Sequence, residues 1–138
     1  IILVFTYRVT LQNNTALMKV AIFDDSIQII NRLKELVLES GSVEEIEYAV
    51  SYEDAVSVIT NKRPDIVILD LNFHGSKPYE LLKTIKANFQ QIKVIILSIH
   101  IEEEIQTQCL ELGADYFFDK YHEFEKIPLL ISQFAISK

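Results

Sequence analysis

From residue 19 onward the hydrophobic positions alternate between two rhythms. Lys19–Phe23, Ile66–Leu69 and Ile92–Leu97 are short and apolar almost throughout, and Glu45–Val50 and Asp115–Phe118 are of similar length; all five read as strands. The stretches between them carry apolar residues at helical spacing. Ser26–Ser40 has Ile27, Ile30, Leu33, Val37 and Leu38 on one stripe and meets Gly41. Ser51 stands three residues before Asp54 as a helix cap, ahead of Ala55, Val56 and Ile59, and Pro64 ends that segment. Tyr79–Phe89 and Glu102–Leu112 follow, the latter with acids in its first turn and Gly113 at its close. His122–Ser137, entered through a loop, places Ile127, Leu130, Ile131 and Phe134 inward.

Five strands alternating with five helices predict an α/β domain with a doubly wound parallel sheet. Continuously apolar strands need cover on both faces, which parallel sheets receive from their crossover helices. Right-handed crossovers and the chain length favour five strands in the flavodoxin-like order 2-1-3-4-5. The first 17 residues stand outside this rhythm. Ile1–Phe5 is apolar but interrupted by Thr6, Tyr7 and Arg8, too short for a membrane helix and without the basic start of a signal peptide. The division expected is an extension of uncertain structure over 1–17 and one domain over 18–138.

Composition narrows the options. With 138 residues, 49% of them hydrophobic, one domain with a real core is expected. The net charge of −7 argues against direct nucleic-acid binding, which draws on Lys and Arg against phosphates. One cysteine, Cys109, allows neither an intrachain disulfide nor a Cys-based zinc site, and fits a reducing, cytoplasmic setting. The chain has three glycines and no Gly-rich phosphate loop, so a dinucleotide or P-loop site is unsupported.

In a doubly wound sheet, ligands bind at the carboxyl ends of the strands. Asp24 and Asp25 follow the first strand, Asp70 the third, Ser98 the fourth and Lys120 the fifth. Each has an ordinary reading by itself. Asp25, with Gln28 three residues on, suits a helix cap; Asp70 a turn; Ser98 another cap; Lys120 a solvated surface. Together they form a chemical set. Three carboxylates brought close repel one another and raise at least one pKa, which a hard dication relieves. Mg²⁺ takes about six oxygens and keeps several waters. Asp25, Asp70 and the backbone carbonyl of Asn72 would serve, with Asp24 acting directly or through water. Asp70 is then placed as a nucleophile toward a phosphoryl group, with Lys120 and Ser98 to meet its oxygens.

The segments KVAIFDDS, PDIVILDLNF, VIILS and GADYFFDK, in this order from about Met18 to Ser137, resemble the receiver domains of two-component response regulators, the single-domain chemotaxis regulators among them. The resemblance implies that Asp24 and Asp25 are the acidic pair, Asp70 the phosphoacceptor, Ser98 and Lys120 the switch hydroxyl and lysine, and Phe117 the switch aromatic. It implies Mg²⁺ as cofactor, a sensor histidine kinase or phosphotransfer protein as donor, and an unidentified output protein or domain. It implies switching of the surface built from the fourth helix, fifth strand and fifth helix. It also implies a phosphoacceptor switch rather than an enzyme, with at most self-phosphorylation and self-dephosphorylation. No membrane partner is expected, and a homodimer is left open.

The sequence departs from the family's pattern at four places. His74 stands where Pro is usual after the acceptor, and Pro78 where Gly is usual, with Gly75 between them. Tyr121, not Pro, follows Lys120, and Ile99, not a small residue, follows Ser98. Of the histidines, His74 and His100 read as loop residues near the site rather than ligands, and His122 has no evident partner. Two alternatives remain at this level. One is a phosphorylation-independent receiver-like interaction module. The other is a phosphohydrolase with an Asp nucleophile, disfavoured because that nucleophile follows the first strand with a second Asp two residues on, whereas Asn72 holds that place here.

Overall fold

The computed structural model describes residues 16–73 and 77–138. Ten elements alternate: β1 (Met18–Phe23), α1 (Ile27–Glu39), β2 (Val43–Ala49), α2 (Tyr52–Lys62), β3 (Ile66–Asp70), α3 (Lys77–Asn88), β4 (Lys93–Ser98), α4 (Glu103–Glu111), β5 (Tyr116–Asp119) and α5 (Lys126–Ser137). The strands form one five-stranded sheet in the order β2-β1-β3-β4-β5, and every pairing is parallel. This is the expected flavodoxin-like topology.

Side chains alternate across a strand, and β3 shows what that achieves here. Ile66 and Ile68 join a core under α1 and α5, together with Ile30, Leu33, Val37, Ile127 and Ile131. Val67 and Leu69 join the opposite core under α2, α3 and α4, with Ala55, Ile59, Leu81, Ile85 and Cys109. β4 divides in the same way: Val94 and Ile96 to one side, Ile95 and Leu97 to the other. Each such side chain, fully buried, contributes about 1.5–3 kcal/mol of transfer free energy. Strands that must be apolar on both faces leave no room for a charge until they end.

Helix ends follow local chemistry. Ser26, not Asp25, caps α1: its Oγ accepts from the Ile29 N–H at 3.3 Å. Ser51 caps α2 as expected, accepting from the Asp54 N–H at 3.1 Å. Pro78 and Pro128 fall in the first turns of α3 and α5, where a missing N–H breaks no helical bond. The last helix starts later than its apolar spacing suggests. Residues 120–125 form turns, because Asp119 and Glu123 tie that stretch into a ring of its own and α5 begins only at Lys126. β2 starts earlier, at Val43, and ends before Val50; among the described residues it is an edge strand paired with β1, and its sequence VEEIEYA half-alternates instead of running apolar.

Most of the proposed extension, and His74 and Gly75 in the loop after Asp70, lie outside the described residues. Among the described residues, no helix is long and apolar enough to cross a membrane.

Candidate functional site

The carboxyl ends of β1, β3, β4 and β5 deliver their polar residues to one edge of the sheet. Asp24 leaves β1 with its backbone N–H on the Ala49 carbonyl at 3.3 Å. Its side chain, 2% exposed, uses both oxygens: Oδ1 accepts from the Ser26 N–H at 2.8 Å and Oδ2 from Lys120 Nζ at 2.8 Å. Asp70 ends β3 and is 5% exposed. Its Oδ1 lies 3.2 Å from the same Lys120 Nζ and accepts from the Asn72 N–H at 3.3 Å. Lys120, 96 residues from Asp24 in sequence, therefore bridges two buried carboxylates. A solvated surface lysine is overturned by that geometry. The turn role of Asp70 is real, through Asn72, and coexists with the ion pair.

The electrostatics are those of a crowded acid pair. Burial first, and the Asp24 charge second, push the Asp70 carboxyl above its ordinary value, although Lys120 and the Asn72 N–H pull it down. Burial pulls the Lys120 ammonium down, but its hydrogen bond to Asp24 and the charges of Asp70 and Asp24 outweigh this and hold it above the ordinary lysine value. One cation therefore only partly offsets two buried anions.

Ser98 ends β4 fully buried. Its Oγ donates to the His100 carbonyl at 2.8 Å and accepts from the His100 N–H at 2.9 Å. It is not a helix cap; α4 begins at Glu103 without a side-chain cap. The Ser98 carbonyl accepts from the Lys120 N–H at 2.9 Å, so the two loops are joined at the backbone. Phe117, opposite Ile96 in the β4–β5 register, is half-buried against the core that contains Cys109. Asp25 is exposed beside Asp24, and Asn72 is exposed beyond Asp70. The three-carboxylate convergence expected from the sequence is not seen as a ready-made cage: among the described residues no group of three or more His, Cys, Asp or Glu is placed to hold a metal ion. The lysine, rather than a third acid, completes the cluster.

Comparison with known proteins decides the family. The family model for the response regulator receiver domain matches residues 20–132. The chain belongs to the receiver domain family. Its similarity to sporulation initiation phosphotransferase F of Bacillus subtilis is 31% identity over 109 residues, 79% of this chain and 86% of that protein. It is 25% identical to the transcriptional regulatory protein DegU of Brevibacillus brevis over 109 residues, which cover 46% of that protein. The chain thus spans most of one relative and less than half of another. Two solved structures share the fold. The receiver domain of a DNA-binding response regulator from Colwellia psychrerythraea 34H superposes with a TM-score of 0.78 at 23% identity, covering 85% of this chain and 97% of that one. A LuxR-family two-component response regulator from Aurantimonas sp. SI85-9A1 gives 0.79 at 17% identity, covering 89% and 88%.

Within this receiver domain, His122 makes a contact that the sequence does not predict. His122 Nδ1 lies 2.9 Å from Asp119 Oδ2, the two residues flanking Lys120 and Tyr121. The available signal was the spacing of Asp119, His122 and Glu123, three and four residues apart as in a single helical turn.

Proposed function

We propose that this receiver accepts a phosphoryl group on Asp70 and relays that charge change to the surface of α4, β5 and α5. The observation that carries the reading is the Lys120 bridge, which gathers Asp24 and Asp70 from separate loops into one buried spot. A carboxylate oxygen of Asp70 attacks the phosphorus of a phosphohistidine on a kinase or phosphotransfer protein. The P–N bond breaks, the imidazole leaves with the electron pair and takes a proton from solvent, and an acyl phosphate remains on Asp70. Lys120 presents a fixed positive charge to the phosphoryl oxygens.

Mg²⁺ fits the donor chemistry. The acid pair is hard and oxygen-based, and its two buried carboxylates meet one ammonium, that of Lys120. Asp25, Asp70 and the Asn72 carbonyl would hold the ion, with Asp24 direct or through water. When bound, it supplies charge neutralisation for in-line transfer.

A phosphoryl group adds about −1.5 to −2 charges and strong acceptors. The Ser98 hydroxyl then leaves the His100 carbonyl and donates to a phosphoryl oxygen, and Phe117 moves into the space released. The result is a two-state equilibrium biased by a local charge. The sheet-edge location, the acidic net charge and the single buried thiol suit a cytoplasmic signalling module that docks proteins rather than nucleic acid.

The test is labelling by acetyl phosphate with and without Mg²⁺, read by intact mass. Wild type gains one phosphoryl group only with Mg²⁺, and Asp70→Asn gains none. Undiminished label on Asp70→Asn rejects the acceptor assignment. Mg²⁺ binding with no label on wild type would favour the phosphorylation-independent module.

A further inference from the structure

We infer that Asp119 is a positioning residue for Lys120, its carboxylate closing the turn after the lysine so that the amine is held against Asp24 and Asp70. The inference rests on the phosphoacceptor reading of that site and adds to it.

The turn is a ring of bonds around one side chain. Asp119 ends β5, registered opposite Ser98. Its Oδ1 accepts from the Tyr121 N–H at 2.9 Å, and its Oδ2 pairs with His122 Nδ1 at 2.9 Å. Its own N–H donates to Glu123 Oε1 at 2.9 Å, and its carbonyl accepts from the Glu123 N–H at 3.0 Å. Glu123 in turn is tied to Lys126, the first residue of α5. Lys120 sits inside this ring with its own N–H on Ser98, so the backbone is pinned on both sides. The Oδ1 contact requires an N–H at position 121. Tyr121 has one; the proline that the family usually places there does not. His122 and the Tyr121 N–H also hold the Asp119 carboxyl below its ordinary value, so the acceptor is ionised at neutral pH. A long lysine side chain is costly to immobilise, and misplacing a reacting-site charge by about 1 Å can slow a reaction about a hundredfold.

Three measurements on the full chain test this. In wild type, hydrogen exchange of the Tyr121 amide is slowed at least tenfold relative to an exposed amide. With Asp119→Ala, acetyl phosphate labelling of Asp70 in Mg²⁺ slows about tenfold or more. In the same variant without phosphodonor or metal, the ¹³Cε titration of Lys120 moves down toward the ordinary lysine value. Asp119→Asn keeps the Oδ1 acceptor for Tyr121 and restores most of both. An Asp119→Ala chain whose Lys120 titrates as in wild type overturns the inference, as does an unprotected Tyr121 amide or wild-type labelling speed. If wild type takes no label, the phosphoacceptor reading fails, and the titration and exchange still decide the role of Asp119.

Discussion

Strand β3 is bracketed by two aspartates that have opposite fates. Asp65, just before it, spends its carboxylate on the chain: Oδ2 accepts from the Lys19 N–H at 2.8 Å, and the Asp65 N–H returns a 2.8 Å bond to the Lys19 carbonyl. Asp115, just before β5, does the same work, accepting from the Val94 N–H at 2.8 Å and from Lys86 Nζ at 2.7 Å. Both acids stitch the amino-terminal edge of the sheet. Asp70, at the other end of β3, accepts one long backbone bond and otherwise faces Asp24 and Lys120. The side chains of Asp65 and Asp115 are 25% and 24% exposed, whereas those of Asp24 and Asp70 are 2% and 6%. The same residue type, at opposite ends of the strands, is structural where backbone donors satisfy it in partial contact with water. It is chemically available where burial sets it against a second acid.

This contrast can be broken from either side. Lys120→Ala should cost most, about 3 kcal/mol at pH 7 by chemical denaturation, because it leaves two buried carboxylates uncompensated. The loss should shrink as the pH falls and Asp70, whose carboxyl lies above its ordinary value, takes up its proton. An unchanged denaturation midpoint at pH 7 would mean that the lysine bridge contributes little. Asp115→Ala should cost about 1–3 kcal/mol, since the Val94 N–H and the Lys86 amine lose their acceptor. Its rate of labelling by acetyl phosphate should stay within about twofold of wild type, as expected for residues that are structural and far from the reacting group. A large fall in that rate would show that the two edges are coupled.

The smallest effect sharpens the comparison, because its sign is reversed. Asp70→Asn should stabilise the fold at pH 7 by about 1 kcal/mol, the scale of an ordinary single substitution. The folded carboxyl titrates above 3.8, so the folded state binds its proton more tightly than the unfolded chain does. Ionised Asp70 therefore costs stability once the pH exceeds the folded value, and that cost is absent below 3.8. The gain should vanish in thermal melts at acid pH. Destabilisation at pH 7 would place Asp70 with Asp65 and Asp115 among the stitching acids.

Much of this was legible along the chain. The unbroken apolar runs of β3 and β4 announced a sheet covered on both faces, and a charge directly after such a run can lie only at the sheet's edge. Hence Asp24, Asp70 and Lys120 could be brought together from residue order. Contacts made through the backbone were less visible. The hold of His100 on the Ser98 hydroxyl depends on the path of the chain after β4, which side-chain chemistry does not encode. The capping of α1 by Ser26 instead of Asp25 depends on a difference of one residue in where the helix starts. The ring around Asp119 is not legible in the sequence because hydrophobic periodicity is blind to a polar turn.

The bond between Lys120 and Asp24 spans 96 residues of chain, and β5 is the last strand to be added to its edge of the sheet. A ribosome must therefore release nearly the whole domain before the cluster can exist. A nascent or trimmed chain that stops short of β5 carries Asp24 and Asp70 but not the amine that bridges them, so the buried charges are balanced only when the fold is complete.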